Sequence, residues 1–167
     1  MKDVSKYRVG DKIVHFGRIY TIFKMSFDKS LNEHILYYKP YYKGRGDDTL
    51  ICSIPTKNIA KTNIRKPISR NKAKKIFINL SKRCEYLDSL DSDVAKSIIG
   101  QNKPRKLAET LKHMWYSKNT QEVEFSRTKE KVFELLVSRL SEELAFSAGI
   151  TPEEASKKII TNLKKAY

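Results

Sequence analysis

The side chains with the clearest chemical potential are cationic and clustered. Lys103, Arg105 and Lys106 crowd one expected helix start, and Arg127, Lys129 and Lys131 crowd another. The first turn of a helix leaves backbone N–H groups without intrahelical partners and carries the positive end of the dipole, so further cations there suit a phosphate. Arg70, Lys74 and Lys82, four and then eight residues apart, favour one helical face, with Lys72 and Lys75 close to it. A single lysine is most simply a solvated surface charge. Two basic clusters at two helix starts point instead to a polyanion, held through its backbone in a salt-dependent and weakly sequence-selective way. Nothing in the pattern indicates direct readout of bases.

Catalytic chemistry has thinner support. His15, His34 and His113 are scattered, with no His-x-x-x-His pair or His-Glu pattern. His15 could act as a base beside Asp11, but its place beside a strand turn fits an ordinary polar residue. Cys52 could be a nucleophile, but it lies within the apolar run Leu50–Ile54 and reads as core. Cys52 and Cys84 match no zinc or redox spacing and fit two buried thiols in a reducing cytoplasm. Gly44-x-Gly46 has the look of a phosphate loop, but no helix follows it, so a hairpin turn is expected. No catalytic group, metal-ligand set or cofactor motif emerges, and the chain reads as a non-enzyme. Tyr37, Tyr38, Tyr41 and Tyr42 could stack on single-stranded bases. In a small barrel such a run more often divides between core and outer face.

Two kinds of element must position these groups. Up to residue 66, apolar residues come in short β-rich runs: Ile13–Phe16, Ile19–Phe23 continuing to Met25 and Phe27, Ile35–Tyr38 and Leu50–Ile54. Turn signals separate them at Gly10-Asp11, Gly17, Asp28–Asn32 and Gly44–Asp47. Pro40 should mark a strand end or edge, because it cannot donate to a ladder. The spacing predicts a small, strongly bent antiparallel barrel.

After residue 66 the period becomes helical. Ser69 is a plausible cap, followed by Ala73, Ile76, Phe77 and Leu80 on one face. A shorter helix is expected around Asp91–Ile99. Asn102 before Lys103-Pro104 looks like another start, with Leu107, Leu111, Met114 and Trp115 inward. Ser126 opens a long helix whose buried stripe is Phe133, Leu136, Val137, Leu140 and Leu144, ending at Gly149 as a left-handed cap. Thr151-Pro152-Glu153-Glu154 places a cap, a first-turn proline and a capping-box glutamate in register, with Ala155, Ile159 and Leu163 inward.

The bulk numbers agree with this division. The chain has 167 residues and a formal charge of +15, from 34 Lys+Arg against 19 Asp+Glu. Residues 1–66 hold 14 basic and 6 acidic side chains, and residues 67–167 the remaining 20 and 13, so both halves are basic. An α+β fold is expected, with a β-barrel over residues 1–66, able to fold alone, and an all-helical domain over 67–167. The excess charge favours polyanionic partners. No stretch is apolar enough to span a bilayer, and a soluble, cytoplasmic, nucleoid-associated protein without membrane contact is expected.

The order of parts resembles the CarD/CdnL family of bacterial transcription regulators, whose N-terminal domain is shared with transcription-repair coupling factors. Tyr7-Arg8-Val9-Gly10-Asp11-Lys12-Ile13-Val14-His15 resembles the family's opening, and Ile54-Pro55 its apolar-Pro strand end. Asn63–Ser69 is similar to the family's junction, where an arginine precedes the first helix. Leu107-Ala108-Glu109 with Leu111 and Trp115 matches its middle helix, and Ser141–Ala145 with Ala148-Gly149-Ile150 its late E-L-A helix and turn. The match covers nearly the whole chain in order. Each motif alone is weak, and their order and spacing carry the resemblance.

The resemblance implies a Tudor/SH3-like N-terminal barrel bound to the RNA polymerase β subunit, with no enzymatic activity and no cofactor. It implies a helical bundle on double-stranded promoter DNA at the upstream edge of the bubble, stabilising open complexes. Met25, Ser26, Ser53, Ile54 and Pro55 become the candidate polymerase contacts. Lys103, Arg105, Lys106, Arg127, Lys129 and Lys131 remain the candidate DNA contacts, Lys129 and Lys131 lying near a family backbone contact.

Three departures accompany the match. The turn Phe16-Gly17-Arg18 is shorter than the family's loop, and Ser53 stands where an arginine often contacts polymerase. No tryptophan occupies Asp88–Asp91, where the family's minor-groove wedge falls. DNA affinity then has to come mainly from phosphates. The alternatives are a nucleoid-type DNA-binding protein without polymerase contact, which needs only the charge, and an enzyme built on Cys52 or His15.

Overall fold

The structure is a computed structural model that describes residues 7–44, 47–83, 91–120 and 125–167. Arg45, Gly46, Cys84 and the acidic segment 88–90 lie outside the described residues. Four strands, β1 (Lys12–His15), β2 (Arg18–Asp28), β3 (Glu33–Pro40) and β4 (Cys52–Pro55), form an antiparallel sheet in chain order. Five α-helices follow: α1 (Arg70–Leu80), α2 (Ser92–Gln101), α3 (Pro104–Thr120), α4 (Arg127–Ala148) and α5 (Pro152–Lys165). No helix among the described residues is long and apolar enough to cross a membrane.

The sheet is open, not the closed barrel expected. β1 and β4 stand at opposite edges and do not pair. Each has only four residues, too short to wrap round and meet. A register shift between Ile22 and Lys24 bends the long β2–β3 ribbon instead. Ile59, from a 3-10 helix over Thr56–Lys61, and Ile64 then close the apolar cluster formed by Ile13, Ile22, Leu36 and Ile54. The outer edge of β1 is occupied at Val14, which exchanges two backbone hydrogen bonds with Arg65. Leu50 and Ile51 precede β4 and are exposed. The Phe16-Gly17 turn has both central residues at positive φ, 48° and 74°, the two-residue geometry that matches strand twist. A Cβ on Gly17 would lie 2.9 Å from Arg139 Cβ, so glycine also permits the close approach of α4.

The helices form where caps and periodicity place them. Ser69, Ser126 and Thr151 cap α1, α4 and α5, the last with a complete capping box. Asp91 caps α2. Asn102 does not cap α3: it is the left-handed C-cap of α2 (φ 53°) and only 1% exposed. Gly149 ends α4 in the same conformation. Ala73, Phe77, Leu111, Leu136, Leu140, Leu144 and Ile159 build one helical core, separate from the sheet cluster.

Directional polar bonds join the two cores. On α4, Glu142 accepts from the Ile19 N–H (3.1 Å) and Arg18 Nε (3.2 Å). Its neighbour Glu143, 1% exposed, accepts from both terminal nitrogens of Arg65 and from the Ile68 N–H (3.0 Å). Asn102 accepts from the Gly17 N–H (3.1 Å) and donates to the carbonyls of Val14 (2.8 Å) and Asn63 (2.7 Å). Glu143→Ala removes the carboxylate from a largely buried guanidinium, which keeps only the Asn102 and Lys66 carbonyls, and strands the Ile68 N–H. It should cost about 3 kcal/mol, the lower end for a broken buried pair because Arg65 is a quarter exposed. Glu142→Ala should cost less, since Arg18 keeps both oxygens of Asp47. Urea unfolding of the two variants checks the order, and equal losses would refute it.

Candidate nucleic-acid interface

α1 and α3 each begin beside the seam, and their first turns flank one cleft of about 1050 Å³. Arg65 and Asn102 line its back, with Ile76 and Ala108 also in the wall. Lys66, Lys72 and Lys75 stand on the α1 side, and Lys103, Arg105 and Lys106 on the α3 side. Among the described residues the only carboxylate in the lining is Glu109, which Arg105 engages at 3.1 Å. Among the described residues, Lys72, Lys75, Lys103 and Lys106 have no ion-pair partner.

The first turns of the helices differ in charge. α2 carries Asp93 there, α4 carries Glu130, and α5 carries Glu153 and Glu154. These acids complement the positive end of the helix dipole. α1 and α3 have no acid in the first turn and carry cations in its place, which works against helix stability and favours an anion. The two helices that face the cleft are the two that lack the acid.

The other expected DNA cluster lies elsewhere. Arg127, Lys129 and Lys131 start α4, at the far end of α3, about 25 Å from Lys103 at a rise of about 1.5 Å per residue. Glu130 sits among them and pairs with Lys118 at 2.6 Å, and Lys129 is half-buried. The two clusters therefore do not form one patch, and the α4 start is partly neutralised.

The strand alternation sorts the candidate polymerase contacts. Ile54 pairs with Leu36, which pairs with Met25, and this row faces the sheet core, with Ile54 8% exposed and Met25 packed against the cluster. The Ile54 side chain is thus a core residue, not an outward contact. The adjacent rows, Lys24–Tyr37–Ser53 and Ser26–Ile35–Pro55, face away from that core. Ser26, Ser53 and Pro55 therefore share a face, Ser53 and Pro55 on β4, whose outer edge has no strand partner among the described residues, and Ser26 two strands in, on β2.

The tyrosines do not make one stacking platform. Tyr38 is buried in the sheet core, Tyr37 lies on the other face under Lys24, Tyr42 packs against the helical core, and Tyr41 sits edge-on to Phe146. Trp115 packs against the helical core beside Phe133. Cys52 is half-buried against the sheet cluster, and burial pushes its thiol up, which opposes thiolate formation. Among the described residues no cluster of His, Cys, Asp or Glu could hold a metal ion.

The residues that sequence reasoning missed are Glu143 and Asn102, which hold the cleft's back wall through Arg65, Ile68 and Asn63, and Glu142, which ties α4 to β2. The available signal was an acidic pair inside an apolar stripe, between Leu140 and Leu144.

Replacing Lys103 and Lys106 by Ala should reduce the salt dependence of duplex binding by roughly 0.9 in slope for each phosphate no longer neutralised. Replacing Arg127, Lys129 and Lys131 together should change it less, and a titration against salt that ranks them the other way would move the interface to α4. A pH dependence is also expected. His15 Nδ1 lies 3.1 Å from the Tyr38 hydroxyl, and burial holds its imidazole below the usual value. The stability it contributes is complete above the unfolded value of about 6.5 and is lost as pH falls through the folded one. His15→Asn should therefore lose less stability than the native chain between about pH 7 and pH 5 in urea melts; equal losses would remove His15 from the linkage.

No known protein family model matches the chain, and no curated protein matches it.

Proposed function

We propose that this chain is a bacterial transcription regulator that binds the RNA polymerase β subunit through its sheet half and promoter DNA through its helical half, modulating open-complex stability. The carrying observation is the cleft where the acid-free first turns of α1 and α3 meet four unpaired lysines. Such a surface suits a chain of phosphates better than a small neutral ligand. The resemblance to the CarD/CdnL family adds the polymerase half. In this reading the open sheet corresponds to the family's Tudor-like domain, and the edge of β4 with Ser53 and Pro55, together with Ser26 on the same face of β2, is the docking surface. An edge strand offers unpaired backbone groups to a partner strand. Ser53 in place of the family's arginine favours a second reading, a DNA-binding protein that ignores polymerase.

Retention of purified polymerase by the full chain separates the two. Ser53→Glu places a carboxylate at the proposed interface, where desolvation is costly. It should weaken polymerase retention about tenfold or more while leaving the salt slope for DNA unchanged. Retention of DNA without polymerase by the native chain would establish the second reading.

A further inference from the structure

α1 separates two basic grooves. One is the cleft shared with α3. The other, about 670 Å³, lies between α1 and α5 and is lined by Arg70, Lys74 and Lys158, with no carboxylate among the described residues. Residues 70–83 hold six cations and no acid. The helical period sends Lys72 and Lys75 toward the first groove and Arg70 and Lys74 toward the second. Between these sides, bordering the second groove, runs an exposed crest bearing Asn71 and Ile78, the latter 48% exposed in the middle of a charged surface.

We propose that α1 is a reading helix that enters the major groove of B-form DNA, its two flanking grooves receiving the phosphate backbones on either side. This rests on the reading of the helical half as a duplex-binding surface. The dimensions agree. A helix with its side chains is about 10–12 Å across, and the major groove is about 12 Å wide. The eleven residues of α1 extend about 16 Å, or about five base pairs. A phosphate track along one side of a helix needs cations on that side only. Cations on both sides of an uncharged crest fit a helix bounded by two strands. Asn71 presents the amide that pairs with the N6/N7 edge of adenine, and Ile78, seven residues on, presents an apolar surface for a thymine methyl. The crest so adds base discrimination where cleft lysines alone would be blind to sequence.

The test uses the full chain and DNA duplexes of about 20 base pairs, close to two helical turns. Lys72→Ala with Lys75→Ala, and separately Arg70→Ala with Lys74→Ala, should each lower the salt slope by roughly 1.8, two phosphates each. Asn71→Ala with Ile78→Ala should leave the slope unchanged and reduce by about tenfold the preference for sequences selected from a random pool. A duplex with glucosylated hydroxymethylcytosine filling the major groove, and an RNA duplex whose major groove is too narrow for a helix, should each bind at least about tenfold more weakly than plain DNA. The minor-groove ligand netropsin should not compete. Circular dichroism and melting confirm that each variant is folded. A native slope with indifference to the blocked groove, or a slope change from one side only, overturns the reading helix while duplex binding stands. Failure of the native chain to bind duplex DNA overturns both.

Discussion

Two adjacent carboxylates inside the apolar stripe of α4 impose the constraint on which the rest of the structure depends. Glu142 and Glu143 are 8% and 1% exposed, between Leu140 and Leu144 in the helical core's longest helix. Removing a carboxylate from water costs several kcal/mol even after relaxation, so each needs full hydrogen bonding. α4 supplies none of the donors. Glu142 takes them from β2, at Arg18 and Ile19, and Glu143 takes them from the junction, at Arg65 and Ile68. Satisfying one turn of α4 therefore fixes where the sheet sits. It also fixes where the chain enters α1, since Ile68 immediately precedes the Ser69 cap. Burial pushes the Glu142 carboxyl up, against the pull of Arg18, so its desolvation is only partly offset. Two separate apolar clusters are joined across this seam by directional polar bonds.

Asn102 has a related role. Its left-handed conformation ends α2 and turns the side chain back to the β1–β2 turn and to Asn63. The chain then starts α3 two residues later, at Pro104. The same residue thus closes the seam and sets the position of the Lys103–Lys106 turn. Arg65 Nε also donates to the Asn102 carbonyl at 2.7 Å. The back wall of the basic cleft is therefore a continuous hydrogen-bonded network, and the cations on its rim are carried by helices whose origins that network defines.

Much of the secondary structure was legible in the sequence because it is set locally. Serine and threonine caps, the capping box and the Gly149 terminus depend on residues within one turn. The buried stripe Ala73, Ile76, Phe77 and Leu80 follows from period alone. What was not legible depends on partners distant in sequence. Asn102 looked like a helix start because its type suits both ends, and only the bonds to Gly17 and Val14 reveal the other choice. Strand runs give no count of closing partners, so a barrel was expected where Ile59 and Ile64 complete an open sheet. Ile54 looked available beside Ser53 until the register placed it opposite Leu36. The basic clusters were visible, but their separation was not. Lys129 and Lys103 resemble each other in sequence, and only the length of α3 puts them at opposite ends. The groove beside Lys158 escaped notice because α5 returns to α1 from some eighty residues away.

The basic first turns of α1 and α3 oppose their own helices, and this opposition explains why the seam lies behind them. A cation at a helix N-terminus disfavours the helix by a few tenths to about 1 kcal/mol, and unpaired cations across a cleft repel each other as well. A loosely joined pair of helices would relax by moving apart. Here α1 is held to α4 through Glu143 and through Ser147, whose hydroxyl donates to the Ile68 carbonyl at 2.8 Å, and α3 starts from an Asn102 bound to three backbone sites. The repulsion is thereby kept in place by the fold. For the polyanion proposed above, a surface preorganised in this way would need little rearrangement on binding. The buried acids and the exposed cations are two sides of one arrangement: hydrogen-bonded carboxylates inside fix the helix starts that carry Lys72, Lys75, Lys103 and Lys106 outside.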